Sequence, residues 1–237
     1  MQRESKYTAI ILKKQPYGES DEIITFFTEQ QGKIRALAKA VKAPKSKLQS
    51  SLQSLFLVRL ALSFGQLPKI ISVEPVEVFA VLRENLRAAK MAFYAAELTL
   101  KFTPDEHKNQ QLFEALINFL MFLNAEHGAL ELNFALAKFK VDALNSLGFN
   151  IHYPKESSAQ FYFSPSRGGF FGQKTGDSIA ARKPVYDLFL ALKAGGWTTI
   201  AAMKPSSATQ ELQDLLSLFI EYQLERKLKS EKFLNML

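Results

Sequence analysis

The sequence predicts an α+β multidomain chain: an N-terminal five-stranded β-barrel, then a mainly α-helical domain with a small irregular β insert. Three observations carry this prediction. Five short segments rich in β-branched and aromatic residues fall within the first eighty of the 237 residues. After Pro75 the apolar spacing lengthens from two to three or four. Between residues 149 and 181 that helical spacing breaks on Pro154, Pro165, Gly168-Gly169, Gly172 and Gly176.

Tyr7–Lys14 (YTAIILKK) and Glu22–Thr28 (EIITFFT) read as the first two strands, and Pro16-Tyr17-Gly18 supplies the turn between them. Gly32 punctuates the chain before Lys33–Ala40, which alternates cleanly. Ile34, Ala36, Ala38 and Ala40 share one face; Lys33, Arg35, Leu37 and Lys39 share the other. Pro44, Ser46, Ser50 and Ser51 mark a basic loop. Two further strands, about Leu55–Ser63 and Lys69–Val78, flank Phe64-Gly65-Gln66-Leu67-Pro68. Five strands in roughly eighty residues suit a small closed barrel, the OB type included.

The helical part begins with Leu82–Phe102, whose apolar residues Leu82, Leu86, Ala89, Phe93, Ala96 and Leu100 line one stripe. Thr103-Pro104-Asp105-Glu106 has the form of a capping box and predicts a helix over about Asp105–Leu123, with Phe113, Leu116, Ile117 and Leu120 inward. Glu126-His127-Gly128 reads as the loop that follows. Leu130–Leu147 is the next helix, with Gly148 as its left-handed terminator. Short strand-like pieces at Gln160–Ser164 and Gly169–Gly172 mark the insert. Helices resume at Pro184–Lys193 and Thr209–Arg226, joined through Gly195-Gly196-Trp197 with Trp197 as a core anchor. Domain limits of 1–80 and 81–237 follow, with the insert at about 149–181.

An apolar fraction of 47% fits a chain that buries a core. Its longest apolar runs are too short to span a bilayer, and the polar start MQRESKYT does not resemble a secretory signal, so a cytoplasmic protein without a membrane partner is expected. With no cysteine, the chain has no disulfide, no cysteine–zinc site and no thiol nucleophile. His107, His127 and His152 are scattered, and no metal or other cofactor is expected.

Mapping the net charge of +7 is informative. From Gln30 to Val73 the chain has eight cations and no acid, whereas the remainder is close to neutral. This is the footprint of a polyanion-binding surface. Lys33, Arg35, Lys39, Lys42, Lys45 and Lys47, on one strand and its adjoining loop, are the candidate nucleic-acid contacts. Cations in such a row hold phosphates with little regard for base sequence. About six phosphate contacts would give a log–log salt slope of roughly −4 on single strands. Tyr7, Tyr17, Phe26, Phe27, Phe56 and Phe64 are the barrel's aromatics; adjacent Phe26 and Phe27 face oppositely, so one points inward, and Tyr17 in the turn is the candidate stacking residue.

No Walker A, dinucleotide fingerprint, zinc-protease helix motif or nucleophile elbow occurs, and the expectation is a protein that is not an enzyme. Asp21-Glu22 with Glu19 leaves a magnesium-dependent nuclease as one alternative, although adjacent carboxylates in a turn are more often solvated. An RNA-binding OB protein is the other. Arg226-Lys227-Leu228-Lys229 could extend a nucleic-acid track or complement the end of the last helix.

Ile11–Leu48 resembles the N-terminal barrel of the RecO family of bacterial recombination and repair mediators, through Pro16-Tyr17-Gly18-Glu19-Ser20-Asp21, Phe27-Thr28-Glu29, Gly32-Lys33-Ile34, Ala38-Lys39 and Lys45-Ser46. Phe139 with Leu144-Asn145-Ser146-Leu147-Gly148-Phe149 is similar to the family's helix before its zinc module. Phe161-Tyr162-Phe163-Ser164-Pro165 with Gly168-Gly169 is similar to the module, and Arg226-Lys227-Leu228-Lys229-Ser230 to the closing motif. The chain departs from the family in two places. Glu156-Ser157-Ser158-Ala159 and Gly172-Gln173-Lys174-Thr175 stand where many members carry zinc-binding cysteine pairs, so packing of Phe161, Phe163, Phe170 and Phe171 must hold the insert. Ala40 stands where the family usually has glycine.

The resemblance implies a cytoplasmic, nucleoid-associated DNA repair and recombination mediator. It would bind single- and double-stranded DNA, anneal strands coated by single-strand binding protein and, with RecR, help load RecA. It also implies that the helical domain receives the acidic C-terminal tail of single-strand binding protein. Lys138 is the expected tail contact, with Lys140 in reserve.

Overall fold

The computed structural model describes residues 4–43, 46, 48–63, 65–154, 158, 160–200, 203 and 206–234. The chain divides into two compact units, residues 1–80 with 96–114, and residues 81–95 with 115–237.

In the first unit, β1 (Glu4–Tyr17), β2 (Asp21–Thr28), β3 (Gly32–Ala38), β4 (Leu57–Ser63) and β5 (Lys69–Glu77) close a barrel in the order β1-β2-β3-β5-β4. β1 is long enough to serve two neighbours. Its first half pairs with β4 (Glu4↔Ser63 to Ile10↔Leu57) and its second with β2 (Ala9↔Thr28 to Tyr17↔Asp21). A register shift between Ile11 and Lys13 bends it between them. Closure rests on the parallel pair Leu37↔Lys69, supported by the Leu37 N–H donating to the Pro68 carbonyl at 2.8 Å. Alternation fills the interior with Tyr7, Ala9, Ile11, Ile24, Phe26, Ile34, Ala36, Ala38, Val58, Leu60 and Leu62. Phe26 points inward as one of its pair must. Phe27, on the opposite face, is equally buried because Phe113 covers it, with ring centroids 6.0 Å apart.

The helices are α1 (Ala80–Glu84), α2 (Leu86–Phe102), α3 (Gln110–Leu123), α4 (Ala129–Ser146), α5 (Lys183–Ala194), α6 (Trp197–Ile200), α7 (Ala208–Leu224) and α8 (Glu231–Leu234). The single helix expected over Leu82–Phe102 is interrupted at Asn85, whose Oδ1 accepts the N–H groups of Arg87 and Ala88 at 3.0 and 3.1 Å and so starts α2 afresh. The capping box at Thr103–Glu106 also needs correction. Thr103 Oγ1 donates back to the Thr99 carbonyl at 2.6 Å, closing α2, and Asn109 caps α3 by accepting the Leu112 N–H at 2.9 Å. Asp105 and Glu106 are drawn away to β3. The Glu106 N–H donates to the Lys33 carbonyl at 2.8 Å, and residue 33 forms a parallel bridge with residue 105. Gly32 permits this approach: its φ is +75°, and a Cβ there would stand 2.0 Å from the His107 carbonyl oxygen.

In the second unit, α4 is buried almost without break from Leu132 to Leu144. Phe119 stacks on Phe139 at 4.8 Å, and Trp197 lies 6.0 Å from both Phe119 and Phe122. Gly148 ends α4 at φ +86°, where the Phe149 N–H reaches the Leu144 carbonyl.

The insert is a three-stranded sheet, β7 (Gly169–Phe171), β6 (Phe161–Ser164), β8 (Ile179–Ala181), the last of which sequence spacing did not reveal. Phe161 stacks on Tyr186 at 4.0 Å, Phe163 meets Phe170 edge-on at 5.0 Å, and His152 stacks on Phe171 at 4.7 Å. Asp177 adds a polar clasp. Its carboxylate accepts from Ser164 Oγ at 2.6 Å and from the Ser166 N–H and Oγ, each at 2.9 Å. These hydrogen bonds hold its carboxyl below the ordinary carboxylate range. Residues 156, 157 and 159, in one of the two stretches that replace cysteine pairs, lie outside the described residues.

Candidate nucleic-acid interface

Two of the candidate cations, Lys39 and Lys42, lie just past the end of β3. β3 ends at Ala38, and the chain turns through Lys39, Ala40 and Lys42, both lysines exposed. This turn is tied to the β1–β2 turn: Ala40 N–H donates to Asp21 Oδ1 at 2.7 Å and Lys42 N–H to the Ser20 carbonyl at 3.0 Å. The β1–β2 turn also carries Tyr17, which is 52% exposed. Exposed lysines and one open aromatic ring therefore share the same pair of linked turns. Ala40 adopts φ +49°, a left-handed geometry that glycine takes more easily than alanine. Pro44, Lys45, Lys47 and Phe64 lie outside the described residues.

Lys33 departs from the exposed cationic face expected of it. Its side chain is only 13% exposed, and Nζ donates to the Leu100 and Thr103 carbonyls at 3.2 and 2.5 Å. These carbonyls belong to the C-terminal end of α2, where the helix dipole favours a cation. Asp105 completes the set, 3.3 Å from Lys33 Nζ and 3.4 Å from Arg35 Nη2. Arg35 remains 62% exposed. No local pattern in residues 30–73 could have signalled an acid some seventy positions away. Exposed Lys13 on β1 and Lys108 beside β3 also fall outside the acid-free window.

The two turn carboxylates have internal duties. Asp21 accepts the Ala40 N–H, and Glu22 lies 3.6 Å from Lys14. Among the described residues there is no group of three metal-ligating side chains.

In the helical unit both expected tail contacts are buried, because the second half of α4 has little free surface. Lys138 Nζ donates to Asp142 Oδ1 at 2.6 Å. Burial nevertheless pushes the Asp142 carboxyl upward, against the pull of Lys138. Lys140 donates to Ser217 Oγ at 2.7 Å and the Gln213 carbonyl at 3.4 Å, and its Nζ lies 5.0 Å from the Tyr94 ring centroid. It borders a pocket of about 290 Å³ that also meets Asn133, Asp214 and Glu231. At the chain's end, Lys227 lies 3.5 Å from Glu221 of α7. Among the described residues, no helix is long and apolar enough to cross a membrane.

Two family models match the chain in succession: Recombination protein O N terminal over residues 1–79, and Recombination protein O C terminal over residues 83–232. Among curated relatives, a DNA repair protein RecO from Dehalococcoides mccartyi is 32% identical over 173 residues, covering 69% of this chain and 67% of its own. One from Pelotomaculum thermopropionicum is 29% identical over 242 residues, covering 97% and 93%. One from Anaeromyxobacter dehalogenans is 28% identical over 249 residues, covering 98% and 96%.

Proposed function

The chain belongs to the RecO family, whose curated members carry the name DNA repair protein, and from that premise we propose that its barrel holds DNA by the phosphate backbone. Single and double strands would be held without sequence preference. The protein acts as a non-enzymatic mediator: it anneals complementary strands coated by single-strand binding protein and, with RecR, helps load RecA. The observation that carries this reading is the pair of linked turns presenting Lys39, Lys42 and Tyr17, the two lysines lying within a 44-residue stretch free of acids.

Phosphate contacts need only charge and reach, which exposed lysines supply. An exposed ring adds stacking that any base satisfies. With Lys33 committed to α2 and Arg35 paired with Asp105, four of the six candidate cations remain for DNA. That number sets the steepest wild-type salt slope on single strands at roughly −2.8. In the helical unit the acidic tail of single-strand binding protein would take the place of Asp142 on Lys138, exchanging one carboxylate for another, or enter the pocket beside Lys140.

The test is an annealing assay on complementary oligonucleotides precoated with single-strand binding protein, comparing the wild type with Lys39→Glu/Lys42→Glu. The wild type anneals and binds uncoated single strands, and the double variant loses both activities. Unchanged affinity in the double variant would remove the barrel turns as the DNA site.

A further inference from the structure

The carboxylate of Asp105 lies between two cations of β3, at 3.3 Å from Lys33 Nζ and 3.4 Å from Arg35 Nη2. Lys33 also donates to two carbonyls, whereas Arg35 is mostly exposed and Asp105 is its ion-pair partner. Asp105 is itself 49% exposed, so the pair lies open to solvent and to competing anions. Its backbone is fixed independently of that pair: residue 105 bridges residue 33, the Glu106 N–H bonds the Lys33 carbonyl, and Gly32 lies directly beneath His107.

Resting on the DNA-binding reading above, we infer that Lys33 and Arg35 form an anion subsite whose resident occupant is Asp105, an internal phosphate substitute that restrains DNA binding by this strand. A phosphodiester reaching β3 must displace the carboxylate from Arg35. The subsite opens to DNA only as fast and as far as Asp105 gives way. The segment that carries it, residues 103–109, is hydrogen-bonded to β3 through backbone groups, so the carboxylate can leave Arg35 without the segment leaving the barrel.

Removing the charge tests this directly. Asp105→Asn keeps the side chain's size and frees Arg35. Affinity for a single-stranded oligonucleotide at low salt rises about three- to tenfold, and the salt slope steepens by about 0.7, the increment for one more phosphate. Adding Arg35→Gln to Asp105→Asn cancels the gain. Arg35→Gln alone changes wild-type affinity less than twofold, because the arginine is already neutralised. This second arm also decides the matter if Asp105→Asn fails to fold. Wild-type binding with no gain in folded Asp105→Asn, or a large loss in Arg35→Gln alone, overturns the inference and leaves the DNA-binding reading intact. A wild type that binds no DNA overturns both.

Discussion

Lys140 is a cation enclosed by the helical unit, and its titration is predicted to reverse the ordinary effect of mild alkali on stability. Burial pushes its ammonium from 10.5 down to about 8, against the opposing pull of the Glu231, Asp214 and Glu221 carboxylates. Below pH 8 the lysine is charged in both the folded and the unfolded chain. Between about pH 8 and 10.5 the folded chain has released a proton that the unfolded chain still holds. Stability from this site therefore rises with pH across that window. At about 1.4 kcal/mol per pH unit, the rise reaches about 2 kcal/mol at pH 9.5 and about 3 kcal/mol over the whole window. Lys140→Met removes the titration while filling similar space. Urea unfolding at several pH values, followed by fluorescence, isolates the effect, because Trp197 is the chain's single tryptophan and packs near Phe119 and Phe122 in the same unit. The difference between wild type and Lys140→Met should move in favour of the wild type as pH rises. Parallel pH profiles would refute the assignment of a charged, buried lysine.

Two further predictions concern local geometry. Ala40→Gly relieves a left-handed alanine at about 1 kcal/mol and returns about half of that as glycine's greater unfolded-state entropy. Slower amide exchange in β3 by a factor of about two is expected, and faster exchange would contradict the strain. Asp177→Asn weakens the clasp on Ser164 and Ser166, so limited proteolysis should cut between residues 160 and 181 faster than in the wild type. Because hydrogen bonding depresses the Asp177 carboxyl, the wild-type clasp is complete above its ordinary value of 3.8 and is lost as pH falls through the lower folded value. Equal cutting rates at neutral pH would show the clasp to be dispensable.

Most of the fold was legible because it rests on short-range regularities. The alternation in Lys33–Ala40 put Ile34, Ala36 and Ala38 into the barrel interior, and the glycine at 148 ended α4 where a left-handed residue was needed. The errors share a physical cause. Thr103-Pro104-Asp105-Glu106 has the local chemistry of a helix start, but the backbone hydrogen bond to Lys33 and the ion pairs to β3 override it. Lys33 looked exposed because alternation reports which side of a strand a residue occupies, not what covers that side. Lys138 and Lys140 looked like surface lysines for the same reason; α4 is enclosed on more than one face. Of the candidate interface, Lys39, Lys42 and Tyr17 were readable from residue type and turn position, while Asp105 became visible only through tertiary contact.

The barrel's dependence on residues 96–114 has a consequence for how the protein is made. All five strands have left the ribosome once Glu77 has, yet Phe27 then still lacks Phe113 above it, and Gly32 still lacks the backbone of His107. Residues 81–95, which belong to the other unit, are synthesised in between. A nascent chain paused near residue 80 would therefore hold a closed but uncovered barrel, with one large aromatic side chain facing water. Completion of the first unit waits on the chain's passage through part of the second.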